Sequence, residues 1–387
     1  ASTQSHSEIM VSYSSNRHDG KLSTIFPFFV TSAIFVLVSF IFGDEDADNY
    51  HDQDKRSKNA LTGDLNSSIV SYSSCLIASS RAIESERPDA LIVDPLAKFL
   101  ASTAYEYRKK HTEKPTWRIA IRTRYFDDHI RSFLTKHNVL QQQQQQEQTV
   151  QVVHLGVGMD SRAYRLEEAN ENTIFYEIDC PEVLELKERL LTDLRKQLLL
   201  SSSSSSNGPS TDEETITEGK MVISIPRLRE MIRNGDSRRR TLSCNLEESG
   251  WEEHLLRTGF DVSRPTCWVL EGLTYYLKDD GVVSSIFQTM RRMSAEGSSL
   301  IVSISSKHGV KRAKRSKNKL MQSWKWGTDE PIKFLSSSES GGWECTSDDV
   351  VILGEERANY GRYPQQNGNA EHGNGHRSEI SYVTARC

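Results

Sequence analysis

Two glycines and one carboxylate are spaced as a ligand site would need them. Gly156 and Gly158 follow the apolar stretch Val152-Val153-His154-Leu155, and Asp179 closes a second stretch, Phe175-Tyr176-Glu177-Ile178. The first stretch reads as a buried strand running into a tight turn. The second reads as a neighbouring strand that ends on an acid. Glycine lets the backbone approach a ligand where a Cβ would clash. An acid roughly 20 residues further on is the distance of one strand–turn–helix–strand crossover. The pair suits a nucleoside, with backbone against one end and Asp179 accepting hydrogen bonds from ribose hydroxyls. The alternative for Asp179 is a helix N-cap before Pro181.

Two cofactor classes use such a turn. A dinucleotide turn wants a third glycine, G-x-G-x-x-G, so that a helix N-terminus can hold pyrophosphate. Ser161 stands at that position, and Asp160 puts negative charge where a diphosphate would lie. S-adenosyl-L-methionine has no phosphate and bears a sulfonium and an ammonium, which an acidic turn tolerates. The residues therefore favour it over NAD, although the glycines alone also fit a strand–turn–helix with no ligand.

The elements that must position these residues follow from the pattern around them. Thr241–Cys244, Cys267–Leu270 and Ser299–Ile304 are further β-leaning runs, separated by helix-like segments. Such alternation predicts an α/β fold with a mostly parallel sheet covered on both faces. Ligands in these folds bind beyond the carboxyl ends of the strands. Gly156, Asp179, Asn245 and Glu271 all fall at or just after such ends. Glu271 lies in the apolar run Trp268-Val269-Leu270-Glu271-Gly272-Leu273, where a carboxylate is costly unless paired. A cofactor ammonium or Arg122 would be suitable partners. Tyr275 and Tyr276 either line an acceptor pocket or pack in the core, and His154 is expected to be packed in its strand.

The whole turn, His154-Leu155-Gly156-Val157-Gly158-Met159-Asp160-Ser161-Arg162-Ala163-Tyr164-Arg165-Leu166, resembles the L-G-x-G-x-D-x-R-x-Y-R-L signature of the leucine carboxyl methyltransferase family. Within that family it is closest in pattern to the branch of S-adenosyl-L-methionine-dependent O-methyltransferases. Collinear blocks extend the likeness over roughly residues 70 to 387. They are Ser80–Glu84, Ile92–Ala97, Ile121–Asp128, Glu177–Val183 with Lys187, Trp268–Leu277, Asn359–Arg362 and Val383–Arg386.

The resemblance implies a Rossmann-like class I methyltransferase fold, with leading helices over residues 66 to 140 covering the cofactor pocket. It implies S-adenosyl-L-methionine as cofactor, held by Arg122 or Arg124 at the carboxylate, Gly156, Gly158 and Asp160 at the turn, and Asp179 at the ribose. Asn245 would meet the adenine and Glu271 the ammonium, with Glu271 and Tyr275 beside the reacting atoms. One departure stands out: Asn245-Leu246-Glu247 occupies the place of the branch's Asp-Leu-Arg, so the adenine contact loses its charge.

Composition narrows the partners. The 387 residues carry a net charge of −5 from nearly balanced acids and bases, which gives no sign of a nucleic-acid binder. The cysteines are scattered without a C-x-x-C pair, so neither a zinc nor a redox motif is expected, and free, mostly buried thiols are. The apolar run Ile25–Phe42, about 18 residues or roughly 27 Å as a helix, matches a bilayer core. It predicts a single-pass anchor over 22–42 after an N-terminal tail over 1–21, with a cleaved or organelle-targeting segment, or a buried helix, as the alternatives. Arg17 and Lys21 before the run and Asp44-Glu45-Asp46 after it place the N-terminus in the cytoplasm. A polar linker over 43–65 then leads to the catalytic domain over 66–387. Low-complexity inserts near 141–148 and 201–219, polyglutamine and polyserine, are expected to be exposed disordered loops. Lys311–Lys319 is strongly basic and reads as a solvated helix or loop, or as a contact for acidic lipid or acidic substrate.

The expected reaction is direct methyl transfer to an oxygen, with positioning and water exclusion as the main catalytic devices. A carboxylate acceptor is ionised near neutral pH and needs no base, whereas a phenol would. No histidine in these motifs offers itself as that base. A small-molecule carboxylate or hydroxyl is the expected acceptor. The alternatives are a protein C-terminus and a membrane-tethered cofactor-binding protein without activity.

Overall fold

A computed structural model describes residues 65–111, 117–144, 148–203, 215–217, 222–362 and 378–387. The apolar run Ile25–Phe42 and most of both low-complexity inserts lie outside these residues. Among the described residues no helix is long and apolar enough to cross a membrane.

Among the described residues four helices come first: α1 (Leu65–Ser85), α2 (Ala97–Ala101), α3 (Thr103–His111) and α4 (Trp117–Gln144). After them strands and helices alternate: β1 (Val150–Leu155), α5 (Arg162–Arg165), β2 (Thr173–Asp179), α6 (Pro181–Ser203), a two-stranded hairpin of β3 (Thr215–Thr217) and β4 (Val222–Ser224), α7 (Ile225–Arg238), β5 (Arg239–Ser243), α8 (Trp251–Arg257), β6 (Thr266–Leu270), α9 (Asp280–Arg292) and β7 (Ser299–Ser305). Beyond β7 come α10 (Lys307–Lys314), α11 (Lys319–Gln322), α12 (Pro331–Leu335), β8 (Val350–Ile352) and β9 (Ile380–Arg386).

The large sheet has the order β5-β2-β1-β6-β7-β9-β8. β5, β2, β1, β6 and β7 are parallel, and β9 inserts antiparallel between β7 and β8. This is the Rossmann-like methyltransferase arrangement implied by the resemblance, with the last strand reversed. Every residue of β1 and β6 is buried, as expected for central parallel strands covered on both faces. Strand periodicity divides the core in two. Val152, Phe175, Cys267 and Ile301 face a layer that includes α1, α2, α4 and α6. Val153, Tyr176, Trp268 and Leu300 face a layer built from α8, α9 and α12.

Local signals fix the helix starts. Ser224 caps α7 by accepting from Arg227 N–H, Asp279 caps α9 through Val282 N–H, and Ser306 caps α10 through Gly309 N–H. In α9 the buried Val283, Ile286, Phe287 and Met290 fall at helical spacing.

Two sequence expectations need correction. Gln141–Gln144 continue α4 and Ser201–Ser203 continue α6, so neither insert begins as a loop. Glutamine is a competent helix former, and a long helix already nucleated extends at little further cost. The cysteines are free as expected, but only Cys75 and Cys267 are fully buried.

Candidate active site

The carboxyl ends of β1, β2, β5 and β6 open into one crevice, roofed by α1 and α11. Its wider end has a volume of about 440 Å³ and is lined by Cys180, Cys244, Asn245, Leu246, Leu277 and Lys325. Its narrower end, about 160 Å³, is lined by Arg81, Arg122, His154, Asp160, Glu271 and Tyr275. Val70, Ser73, Gly156, Asp179, Leu273, Tyr276 and Leu320 touch both ends and make them continuous.

The glycine turn forms the floor between the ends. Gly156 has φ +70° and Gly158 φ +53°, the left-handed region in which glycine is favoured. A Cβ on Gly156 would lie 2.9 Å from Leu273 Cδ1, and one on Gly158 would lie 3.2 Å from Ser74 Cβ of α1. The turn is thus pressed between the roof and the loop that follows β6. Asp179 closes the other side. Its Oδ2 accepts from Gly158 N–H at 2.7 Å and its Oδ1 from Cys180 N–H at 2.8 Å. Burial raises its pKa against the pull of those two amides. The carboxylate therefore ties the turn to the start of α6 while still facing the cavity, with lone pairs left for hydroxyl donors.

Glu271 directly follows β6 and is held at both oxygens. Arg122 Nε meets Oε1 at 2.8 Å and Arg162 Nη2 meets Oε2 at 2.7 Å. Burial would raise this carboxyl, but Arg162 and Arg122 outweigh burial and hold its pKa at about 2. A carboxylate so acidic cannot serve as a general base near neutral pH. Its part is to place Arg122 and to present negative charge, which narrows the catalytic role expected for it.

Arg162 continues the pairing inward. Its Nη1 lies 2.5 Å from Asp160 Oδ2 and its Nε 2.7 Å from Asp127 Oδ1. Arg165 Nη1 lies 2.6 Å from Asp127 Oδ2 and its Nε 3.8 Å from Asp94 Oδ2, which Arg81 Nε meets at 2.9 Å. Four arginines and four carboxylates thus form one buried chain behind the narrow end. Buried charges survive only when paired in this way. Asp160 lines the crevice as expected, yet its Oδ1 accepts Arg162 N–H and its Oδ2 the guanidinium, so its first duty is to that chain. A second buried cluster sits under β2, where Lys187 and Arg239 meet Glu177 at 2.8 and 2.6 Å.

The other expected residues divide. Tyr275 lines the narrow end, stacks on Trp324 with centroids 4.2 Å apart, and keeps a raised pKa through burial, which Arg122 partly offsets. It is core on one face and cavity wall on the other. Asn245 lines the wide end but is tied locally, accepting from Glu247 N–H and donating to Glu248. Arg124 is not brought to the crevice. It pairs with Asp128 at 2.7 Å, donates to Leu91 O, and lines a separate cavity. His154 is buried in β1, but it also lines the narrow end, and burial lowers its pKa to about 4. Its Nε2 is buried without a hydrogen-bond partner.

That separate cavity is larger, about 700 Å³, yet it shares no lining residue with the crevice. Several of its arginines are already matched: Arg124 by Asp128, Arg131 by Glu168 and Arg227 by Glu167. Size alone does not make it the site. The sequence reading gave no role to Arg81, Asp94, Asp127, Arg162 or Arg165, although all of them lie in or beside the motif blocks. A charged residue inside an otherwise apolar helix or turn was the available signal.

The sequence pattern of the family described as leucine carboxyl methyltransferase matches residues 74–290, more than half of the chain. The chain belongs to this family. A Mycolicibacterium gilvum protein, named a candidate S-adenosyl-L-methionine-dependent methyltransferase, is 32% identical over 254 residues, 62% of this chain and 68% of that protein. A Streptomyces coelicolor protein of the same description is 27% identical over 300 residues, 74% of this chain and 86% of its own. Among solved structures, a candidate methyltransferase from Thermobifida fusca aligns over 79% of this chain and 93% of its own, at 15% identity and a TM-score of 0.41. The stretch matched to the leucine carboxyl methyltransferase family holds the buried charge chain, the glycine turn, Asp179 and Glu271. Helices α10 and α11 fall outside it.

Proposed function

We propose that the protein transfers the methyl group of S-adenosyl-L-methionine to a carboxylate oxygen of a small-molecule acceptor. The donor fits the crevice residues. The wide end offers Leu246, Leu273 and Leu277 to an adenine ring, and Asp179 lies between the ends, where ribose hydroxyls need an acceptor. Asp160 and Glu271 give the narrow end the negative charge that suits an ammonium and a sulfonium. The unpartnered His154 Nε2 is the kind of buried polar atom that a bound ligand satisfies. When bound, the donor supplies a methyl group on a cationic sulfur, open to attack from the side opposite that sulfur.

The chain's own residues position and exclude. Arg122 is fixed by Glu271 and stands beside Tyr275: a Cβ on Gly272 would meet Arg122 Nη1 and the Tyr275 hydroxyl at 3.1 Å each. A guanidinium and a phenol so placed can grip a carboxylate. Helix α1 and Leu320 cover the cavity and limit water.

The preference for a carboxylate rests on one feature: apart from Asp179, whose oxygens already accept from Gly158 and Cys180 N–H, the titratable groups that line the narrow end are poor bases near neutral pH. Glu271 is held at about 2 and His154 at about 4, and burial pushes Tyr275 up. An acceptor that arrives ionised needs no base, whereas a phenol with pKa near 10 would need one. The same observation favours a second reading, a protein C-terminal carboxylate, equally on chemical grounds.

Calorimetry with S-adenosylhomocysteine and with NAD tests the cofactor. Tight NAD binding without a response to the homocysteine product would reverse the reading. Transfer of labelled methyl from the donor to a metabolite extract, and separately to peptides ending in a free carboxylate, tests the acceptor. Base-labile label means an ester and base-stable label an ether. Product binding without transfer to either set would leave a binding protein.

A further inference from the structure

Helix α10 carries a charge imbalance found nowhere in the catalytic crevice. From Lys307 to Thr328 the sequence contains Lys307, Lys311, Arg312, Lys314, Arg315, Lys317, Lys319 and Lys325 and no acid. Lys307, Lys311, Lys314 and Arg315 are exposed and Arg312 half-buried. None of these five has an acidic side-chain partner among the described residues. The nearby acids are at the start of the helix: Asp329 accepts Lys307 N–H, and Glu379 takes Ser306 and lies 3.9 Å from His308.

The inner side of the helix is as informative. Val310 and Ala313 pack with Tyr275 and Trp324, and with the partly buried Tyr276 and Met321. Tyr275 and Tyr276 are walls of the crevice. The basic helix is therefore bolted to the outside of the crevice wall, and its cations point away from it. Leu320, in the next helix, lines both ends of the crevice, and the exposed Ser323 and Lys325 line the wide end. On the opposing roof, Val70 near the start of α1 is 47% exposed and also touches both ends. The chain that precedes α1 carries the apolar run Ile25–Phe42, with residues 43–64 between that run and the helix.

We propose that this face is a docking surface for an anionic lipid layer, which the crevice then adjoins. Three features choose lipid over a soluble acid. The cations form a strip along a helix rather than a pocket. Exposed apolar Val70 and part-exposed Leu320 accompany them at the rim. The chain enters α1 at this same rim from a segment whose composition suits a bilayer. A strip of exposed lysines and arginines is attracted to an anionic surface and screened from it by salt. The acceptors favoured by this geometry are carboxylate amphiphiles that partition into the layer. The inference rests on the methyltransferase reading only in taking the crevice as the reaction site.

The test uses the full chain with vesicles of phosphatidylcholine alone or of phosphatidylcholine with phosphatidylserine. Brief trypsin treatment is followed by mass spectrometry of cuts within 311–319, with the cut at Arg257 on α8 as internal control. Cuts in the strip are expected to slow about 5-fold or more on the serine-containing vesicles, to be unaffected by phosphatidylcholine, and to recover in high salt, with Arg257 unaffected throughout. Equal rates on both vesicles would overturn the proposal. So would slowing by soluble polyglutamate without slowing by vesicles, which would point to an acidic protein. Calorimetry with S-adenosylhomocysteine on the same sample reports the crevice separately, so failure of the surface and failure of the cofactor site are told apart.

Discussion

The two sides of the Tyr275–Trp324 wall treat charge in opposite ways. On the inner side Arg81, Arg122, Arg162 and Arg165 are buried or nearly so, and each meets at least one of Asp94, Asp127, Asp160 and Glu271. On the outer side Lys311, Lys314 and Arg315 are exposed and meet no acid among the described residues. The inner chain must be complete, because a buried charge without a partner is expensive. The outer strip can stand open, because water solvates it. Charges on the inner side are consequently structural and preorganising, and those on the outer side are available to a partner.

The largest break in this contrast should come from Arg162→Met. It leaves Asp127, Asp160 and Glu271 short of a cation in a buried place, and loss of one member of such a set destabilises by about 3–5 kcal/mol. Urea unfolding measures it. A loss under about 1 kcal/mol would mean that the inner chain is not needed for the fold.

Acid should expose the same dependence in two stages. Burial holds His154 at about 4 against an ordinary 6.5, and His129 likewise at about 4. The folded pKa is the lower one, so the unfolded chain takes the proton first. Stability is therefore complete above about pH 6.5 and falls as pH drops towards 4, by up to roughly 3 kcal/mol for each histidine. Glu271, at about 2 against 4.5, adds a second loss as pH falls from 4.5 towards 2. His154→Asn should flatten the upper stage in part, leaving the shares of His129 and of His137, which burial also lowers. An unaltered slope in that variant would place the proton uptake elsewhere.

Asp179 sharpens the comparison because it belongs to neither side. It is bonded to two backbone amides and has no salt-bridge partner among the described residues. Removing it strands no buried cation, so the fold should survive and the ligand should feel the loss. Asp179→Ala is expected to weaken S-adenosylhomocysteine binding roughly 10-fold or more, since hydrogen bonds to a charged group contribute about 1.5–3 kcal/mol. Calorimetry on a variant with an unchanged melting curve decides it, and equal affinity there would remove Asp179 from the site.

How far the sequence revealed these regions depends on what each one needed. Gly156, Asp179 and Glu271 were legible because strand ends are read from apolar runs, and in a parallel sheet strand ends converge. Arg122 and Arg124 could not be separated, because both sit in the one helix α4. Two residues turn a helix by about 200°, so one faces the crevice and the other turns away towards Asp128. The partners of Arg162 were hidden for another reason. Asp127 is 35 positions away and Glu271 lies beyond β6, the third strand of the large sheet to follow Arg162 in the chain, and only packing brings them together. Gln141–Gln144 misled by composition: a homopolymer run suggested a loop, and the helix before it carried on.

The smallest effect is the most discriminating for the outer strip. Replacing Lys311, Lys314 and Arg315 together by Gln removes three exposed cations with no acidic partner among the described residues. Glutamine keeps most of the stem and supports helix nearly as well. If the strip faces only water, unfolding free energy should move by no more than about 0.5 kcal/mol, against the several lost with Arg162. A slight gain is reasonable, because cations packed along one helix repel each other and the repulsion ends with them. A large loss would show that these side chains already hold an intramolecular partner, and then the wall would no longer separate a closed set of charges from an open one. Repeating the melt at high salt distinguishes the cases. Relief of repulsion shrinks with screening, whereas a lost buried pair does not.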